Sequence, residues 1–225
     1  MKSVLIRLEG PLQSWGTQGR FGIRDTDLEP SKSGVIGLVA AALGMPRENH
    51  ATLARLAALE MGVRVDREGT LLRDYHTAGG GVFRGKPHGV AGTNDPVTTQ
   101  RYYLCDASFL VALGSQDEVL IQELAQALAY PVWSLFLGRK SCVPSVAPLA
   151  GVRDGAPADV LRREPLPEGA ARSLRLVVEC GPGAGAVPRN DVPLSFALYE
   201  RRHVRRFVRS EWIAEGLTPP PEVET

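Results

Sequence analysis

Lysine is scarce in this sequence: only 4 of its 26 basic residues are lysine, and the rest are arginine. Cysteine is scarcer still. Cys105, Cys142 and Cys180 are widely spaced with no CxxC pair, which excludes a disulfide framework and a cysteine zinc site. They read as reduced thiols of a cytoplasmic protein. The four histidines, His50, His76, His88 and His203, fall in different predicted elements, so no metal-ligand cluster is expected. There is no GK[ST] phosphate loop, no GxSxG elbow, no HExxH and no EF-hand loop, and paired carboxylates are missing from the glycine-rich regions. The longest apolar run, near residues 35–43, is interrupted by Gly37 and stops at Gly44, too short to span a bilayer. Arg7 and Glu9 break the first apolar stretch, so no signal-peptide core is expected.

What is present is a soluble globular composition, 44% apolar and 23% charged, in a chain of 225 residues, long enough for one substantial core. A net charge of +1 decides nothing. The arginine bias has a bland source in GC-rich coding. Its functional reading is that a planar guanidinium suits phosphate and base recognition, and position must separate the two.

Alternation predicts a strand over 2–9. The segment SKSGVIGLVAAALG predicts a buried helix from about Ser33 to Leu43, ended by Gly44 and Pro46. A helical piece over 50–60 and a strand over 61–67 follow, with a turn at Gly69. In the run 71–77, Arg73, Tyr75 and Thr77 share one face, and Asp74 and His76 the other. A glycine-rich excursion spans about 79–96, and the chain returns through Val97–Leu104 into a strand at 107–113. Ser115 and Glu118 predict a capping box for a helix carrying Ile121, Leu124, Ala125 and Leu128, ended by Pro131. Val132–Leu137 is expected to be the final strand. The order strand, helix, strand, arm, strand, helix, strand is a ferredoxin-like (RRM-like) βαββαβ unit of α+β class. An inserted hairpin thumb occupies about 71–105. Residues 1–144 form this expected domain. Residues 145–225 supply a Pro/Ala/Gly-rich linker, a small C-terminal β region and a tail, from Thr218, expected to be disordered.

Backbone N–H groups at the start of a buried helix lack intrahelical partners, and the macrodipole makes that end positive. Ser31, Lys32 and Ser33 therefore sit where an anion would be held. Trp15, if exposed, offers a stacking plate nearby; a core position is the competing reading. The run Arg201, Arg202, Arg205, Arg206, Arg209 reads by default as a solvated edge strand. Arg139 and Lys140, just after a predicted strand, form either an ordinary turn or a basic clamp. In combination these features fit single-stranded RNA, bound through backbone charge and stacking. An enzyme is the competing class, a metal-independent ribonuclease with Tyr75, His76 or Lys140 in acid–base roles. Alternation argues against it, because Tyr75 and His76 point to opposite faces. A thiol enzyme on Cys142 and His76 has no supporting spacing.

The pieces GPLQSWG, SKSGVIGLVAAALG, LRDYHT, YLCDASFLVAL and LGRKSC occur in this order. Together they resemble the CasD family of type I-E CRISPR surveillance complexes (Cascade), within the RAMP superfamily, well over residues 1–144 and loosely beyond. The resemblance implies a non-catalytic antiviral-defence subunit, without cofactor, that binds the 5′ handle of CRISPR RNA. It implies assembly with the backbone filament subunit and the large PAM-reading subunit, leaves contact with target DNA open, and involves no membrane. Lys32, Ser33 and Gly34 match the family's basic helix start and should hold handle phosphates. Arg101 matches a family arginine. Gln13 and Trp15 belong to GPLQSWG, Arg73 and Tyr75 to LRDYHT, and Arg139 and Lys140 to LGRKSC, and all six are expected at the RNA. The thumb tip, residues 82–96, matches poorly.

Overall fold

The computed structural model describes residues 1–16, 19–20, 22–79, 82–83, 86–87, 96–167 and 173–214. Most of the expected thumb tip and the tail from Thr218 lie outside them. In chain order the elements are β1 (Lys2–Glu9), β2 (Leu12–Gln13), β3 (Gly19–Arg20), β4 (Ile23–Arg24), α1 (Lys32–Ala42), α2 (His50–Ala57), β5 (Glu60–Arg67) and β6 (Thr70–Ala78). There follow β7 (Val82–Phe83), β8 (Lys86–Pro87), β9 (Val97–Cys105), β10 (Ser108–Ser115), α3 (Glu118–Ala129), β11 (Leu149–Asp154), α4 (Pro157–Arg163), β12 (Ser173–Cys180), β13 (Val187–Ser195) and β14 (Arg202–Ala214). The fold is mixed α+β with mostly antiparallel sheets.

The main sheet has seven strands in the order β11-β1-β10-β5-β12-β14-β13. Alternation along β1 serves both of its faces. Val4, Ile6 and Leu8 enter the larger core, with Val35, Ile36 and Val39 of α1, Leu53 and Leu56 of α2, and Ile121 and Leu124 of α3. Leu5 turns the other way, to Val160 and Leu161 of α4. Helices thus cover both faces, which is why β1, β5 and β10 are almost wholly buried. No helix among the described residues is long and apolar enough to cross a membrane.

Helix α1 begins one residue earlier than expected. Ser31 is its N-cap, accepting from the Gly34 N–H at 3.3 Å. Its end is as read, with Gly44 at φ +65°. For α3 the cap is Asp117 and not Ser115: Asp117 Oδ1 accepts from the Leu120 N–H at 3.0 Å, while Ser115 Oγ accepts from the Asp117 N–H.

Two further expectations are corrected. Val132–Leu137 is not a strand; the Val132 and Trp133 N–H groups donate to the Ala42 and Ala41 carbonyls, closing the end of α1. The strand beside β1 is instead β11. Second, the basic run of β14 is no edge, because it lies between β12 and β13. Arg64 of β5 is fully buried. It binds Asp66 through Nε at 2.7 Å and donates to the Leu161, Glu164 and Pro165 carbonyls at the end of α4.

A second sheet projects from the β5–β10 connection, with order β2-β9-β4-β3 and β6 on the other side of β9. β6 and β9 pair antiparallel over nine residues, from Thr70↔Cys105 to Ala78↔Val97. The turn into β6 is at Gly69, with φ +76° and the Cys105 carbonyl against its Cα, where only glycine fits.

Candidate nucleic-acid interface

The GPLQSWG, SKSG and LGRKSC pieces of the sequence interlock. Trp15 is 1% exposed, donates from Nε1 to Gln13 Oε1 at 3.0 Å, and packs against Gly34, where a Cβ would lie 2.8 Å from its ring. Gln13, fully buried, donates to the Leu8 and Ala107 carbonyls. The GPLQSWG loop and the helix start are thus packed on one another. Trp15 is not available to stack on a base, and Gln13 is fully used internally; both expectations are corrected by burial. Gly138, at φ +90°, would put a Cβ 1.8 Å from the Ser14 carbonyl oxygen, so LGRKSC closes against the same loop.

The start of α1 does hold an anion, but it is the protein's own. Asp191 of β13 accepts the Lys32 backbone N–H at 2.7 Å and is gripped on its other side by Arg206, at 2.7 and 2.9 Å. Burial alone would raise the Asp191 carboxyl, but the Arg206 and Lys32 contacts outweigh it and hold it below the ordinary carboxylate value. Lys32 Nζ is ion-paired to Glu179 at 2.9 Å with its side chain 4% exposed, and Glu179 also takes Arg206 at 3.2 Å. Ser33 Oγ lies 3.5 Å from Ser31 Oγ, and the Gly34 N–H is spent on the cap. Lys32, Ser33 and Gly34 therefore form a closed, internally neutralised helix start and no open phosphate cradle. The sequence could not show this because Glu179 and Asp191 lie 147 and 159 residues away and Arg206 farther still.

Arg139 is a clamp. It donates to the carbonyls of Tyr102 (3.0 Å), Arg24 (2.8 Å) and Asp25 (3.1 Å), and its guanidinium sits 4.7 Å over the Tyr103 ring. It thereby ties β4 to β9 with its charge uncompensated by any carboxylate. Lys140 beside it is exposed.

Register divides the remaining residues between the two faces of the small sheet, because directly paired residues point the same way. Asp74 is opposite Arg101, and Arg101 pairs in parallel with Arg24, so one face carries Asp74, His76, Arg101 and Arg24. Arg73 is opposite Tyr102, and Tyr75 opposite Gln100, which pairs with Ile23; these share the other face. The structure thus separates Arg101 from Arg73 and Tyr75. Arg24 and Arg73 are exposed, and Arg101 Nε donates only to Thr99 Oγ1, at 3.1 Å. Among the described residues none of Arg24, Arg73, Arg101, Arg139 and Lys140 has a carboxylate partner. Several arginines of the main sheet and its helices are paired instead, Arg175 and Arg189 with Glu29, Arg162 with Glu211, Arg64 with Asp66. A second unpaired, exposed group, Arg201, Arg202 and Arg205, stands at the start of β14.

Sequence reading missed Arg24, Ile23 and Gln100. β4 is two residues long, too short for alternation to register. For the enzyme classes the geometry offers little. Tyr75 and His76 are on opposite faces, His76 Nδ1 is 3.8 Å from Asp74, and Cys142 is buried, which pushes its thiol up. No group of three or more metal-ligating side chains exists among the described residues.

The family model described as CRISPR-associated protein (Cas_Cas5) matches residues 3–209. The chain is 40% identical over 164 residues to the CRISPR system Cascade subunit CasD of Escherichia coli (strain K12), covering 66% of this chain and 70% of that one. A solved structure titled "Crystal structure of Cas protein" superposes with a TM-score of 0.75 at 40% identity, covering 96% of this chain and 97% of the other. A chain of a "CRISPR RNA-guided surveillance complex" superposes with a TM-score of 0.78 at 36% identity, covering 95% and 90%. The chain belongs to the Cas5 family of CRISPR-associated proteins.

Proposed function

We propose that this chain is a non-catalytic subunit of a Cascade-type surveillance complex that holds the 5′ handle of CRISPR RNA. One observation carries the reading: basic side chains without carboxylate partners gather on the small sheet and its LGRKSC brace, while the helix start is neutralised from within. Uncompensated arginine and lysine favour a polyanion, because each phosphate contact releases condensed counterions. The relatives support the setting, since one is named a Cascade subunit and another comes from an RNA-guided complex. The handle would lie along the Arg24/Arg101 face, with Arg139 and Lys140 at its margin. Lys32, Ser33 and Gly34 act by fixing the body to which that sheet is attached.

The strand order β11-β1-β10-β5, with α1 and α3 in the connections, supports a ferredoxin-like arrangement, and the long β6–β9 pair supports a thumb leading into residues 79–96. Residues 1–144 are the RNA-facing unit in this reading, and 145–225 brace it. The partners are the backbone filament subunit and the large PAM-reading subunit, in the cytoplasm.

The test is reconstitution with labelled repeat RNA in EDTA. A non-catalytic binder retains RNA of intact length through purification of the complex. Clean cleavage within the repeat, abolished by His76→Ala, would establish the endoribonuclease instead.

A further inference from the structure

The face of the small sheet that turns away from Arg101 lies off the handle path proposed along Arg24 and Arg101, yet it carries exposed apolar and aromatic side chains. Tyr75 is 70% exposed in the middle of a regular strand, and Ile23 is 51% exposed two strands away. Register sets Tyr75, Gln100 and Ile23 in one row across β6, β9 and β4, with Arg73 and Tyr102 in the adjoining row. Side chains directly opposite across a strand pair stand about 5 Å apart, so the row of three spans about 10 Å, room enough for one nucleobase. Neither the Gln100 amide nor the Arg73 guanidinium has a side-chain partner among the described residues. No other described strand pairs with β6, so one edge of this sheet is open.

We infer that the Tyr75 face is a base-stacking subsite for single-stranded RNA, a step that rests on the RNA-binding reading above. A base lies on the Tyr75 ring, the Gln100 amide meets its hydrogen-bonding edge, Ile23 closes the far side, and Arg73 holds the adjoining phosphate. The strand held by Arg24 and Arg101 reaches this subsite by passing round the open edge of β6, so successive nucleotides use opposite faces of one sheet. Tyr75 takes the part for which Trp15 is unavailable. The amide can donate or accept, so it orients a base without restricting its identity to one.

The experiment uses the full chain and single-stranded repeat RNA carrying 2-aminopurine at one handle position at a time. Wild-type protein quenches the probe at one or two positions. Tyr75→Ala abolishes that quenching and weakens binding about 5- to 150-fold with an unchanged salt slope, because stacking releases no counterions. Tyr75→Phe and Tyr75→Trp preserve both. Arg73→Ala lowers the slope by about one contact, roughly 0.7 in log–log units. Quenching and affinity that survive Tyr75→Ala would overturn this inference while leaving RNA binding intact. Failure of the wild-type protein to bind the RNA would overturn the broader reading, and this subsite with it.

Discussion

Lys32 is the residue on which helix-start logic and the observed geometry disagree, so its replacement is decisive. Lys32→Met keeps the apolar stem and the backbone N–H to Asp191 but deletes the ion pair with Glu179. Removing one partner of a fully buried pair costs about 3–5 kcal/mol. Here Glu179 keeps Arg206 and its side chain is 21% exposed, so the loss is smaller, about 1–2 kcal/mol. For a chain of this size that lowers the melting temperature by about 2–8 °C. Thermal unfolding and RNA binding across a salt series should be measured on the same preparation. The reasoning requires a lower melting temperature with an unchanged salt slope. An unchanged melting temperature with a slope reduced by roughly 0.7 would show Lys32 to be a phosphate ligand and refute it.

Other outcomes follow from the same interlock. Asp191 has a native pKa below the ordinary value near 3.9. Its contribution is therefore complete above about pH 4 and is lost as pH falls through the native pKa. Asp191→Asn should destabilise the protein at pH 7 by about 3 kcal/mol and flatten the acid limb of a urea-midpoint against pH plot; a limb as steep as wild type would contradict this. Gly138→Ala collides with the Ser14 carbonyl at a positive φ, so the loop must shift and Arg139 with it. Stability should fall by about 1–3 kcal/mol, with loss of amide-exchange protection in β4, and unchanged protection would exclude the clamp. Gly34→Ala meets the Trp15 ring and should lower urea stability by a similar amount without altering the RNA salt slope.

Local patterns carried much of the fold into view. Alternation in β1, β5 and β6, the Gly44 stop and the Gly69 turn all depend on neighbours within a few residues. The errors arise where long-range partners decide. Val132–Leu137 is apolar enough to read as a strand, but the Val132 and Trp133 N–H groups are taken by the end of α1, and the edge of the sheet goes to a run containing Gly151 at φ +128°. A basic run reads as solvated until Asp191 and Glu179 are seen beside Arg206. For the site, β6 showed which residues share a face, yet not that Arg101 lies on the other one. That depends on the register with β9, set across an excursion that sequence pattern cannot span. Trp15 could have been core or plate, and its burial against Gly34 and Gln13 decides.

The most direct test of the account is the salt dependence of RNA binding by the Arg24→Ala/Arg101→Ala double variant. Two lost phosphate contacts should flatten the log–log slope by about 1.4 relative to wild type, with thermal stability nearly unchanged. A slope equal to wild type would contradict the assignment of the RNA backbone to this face.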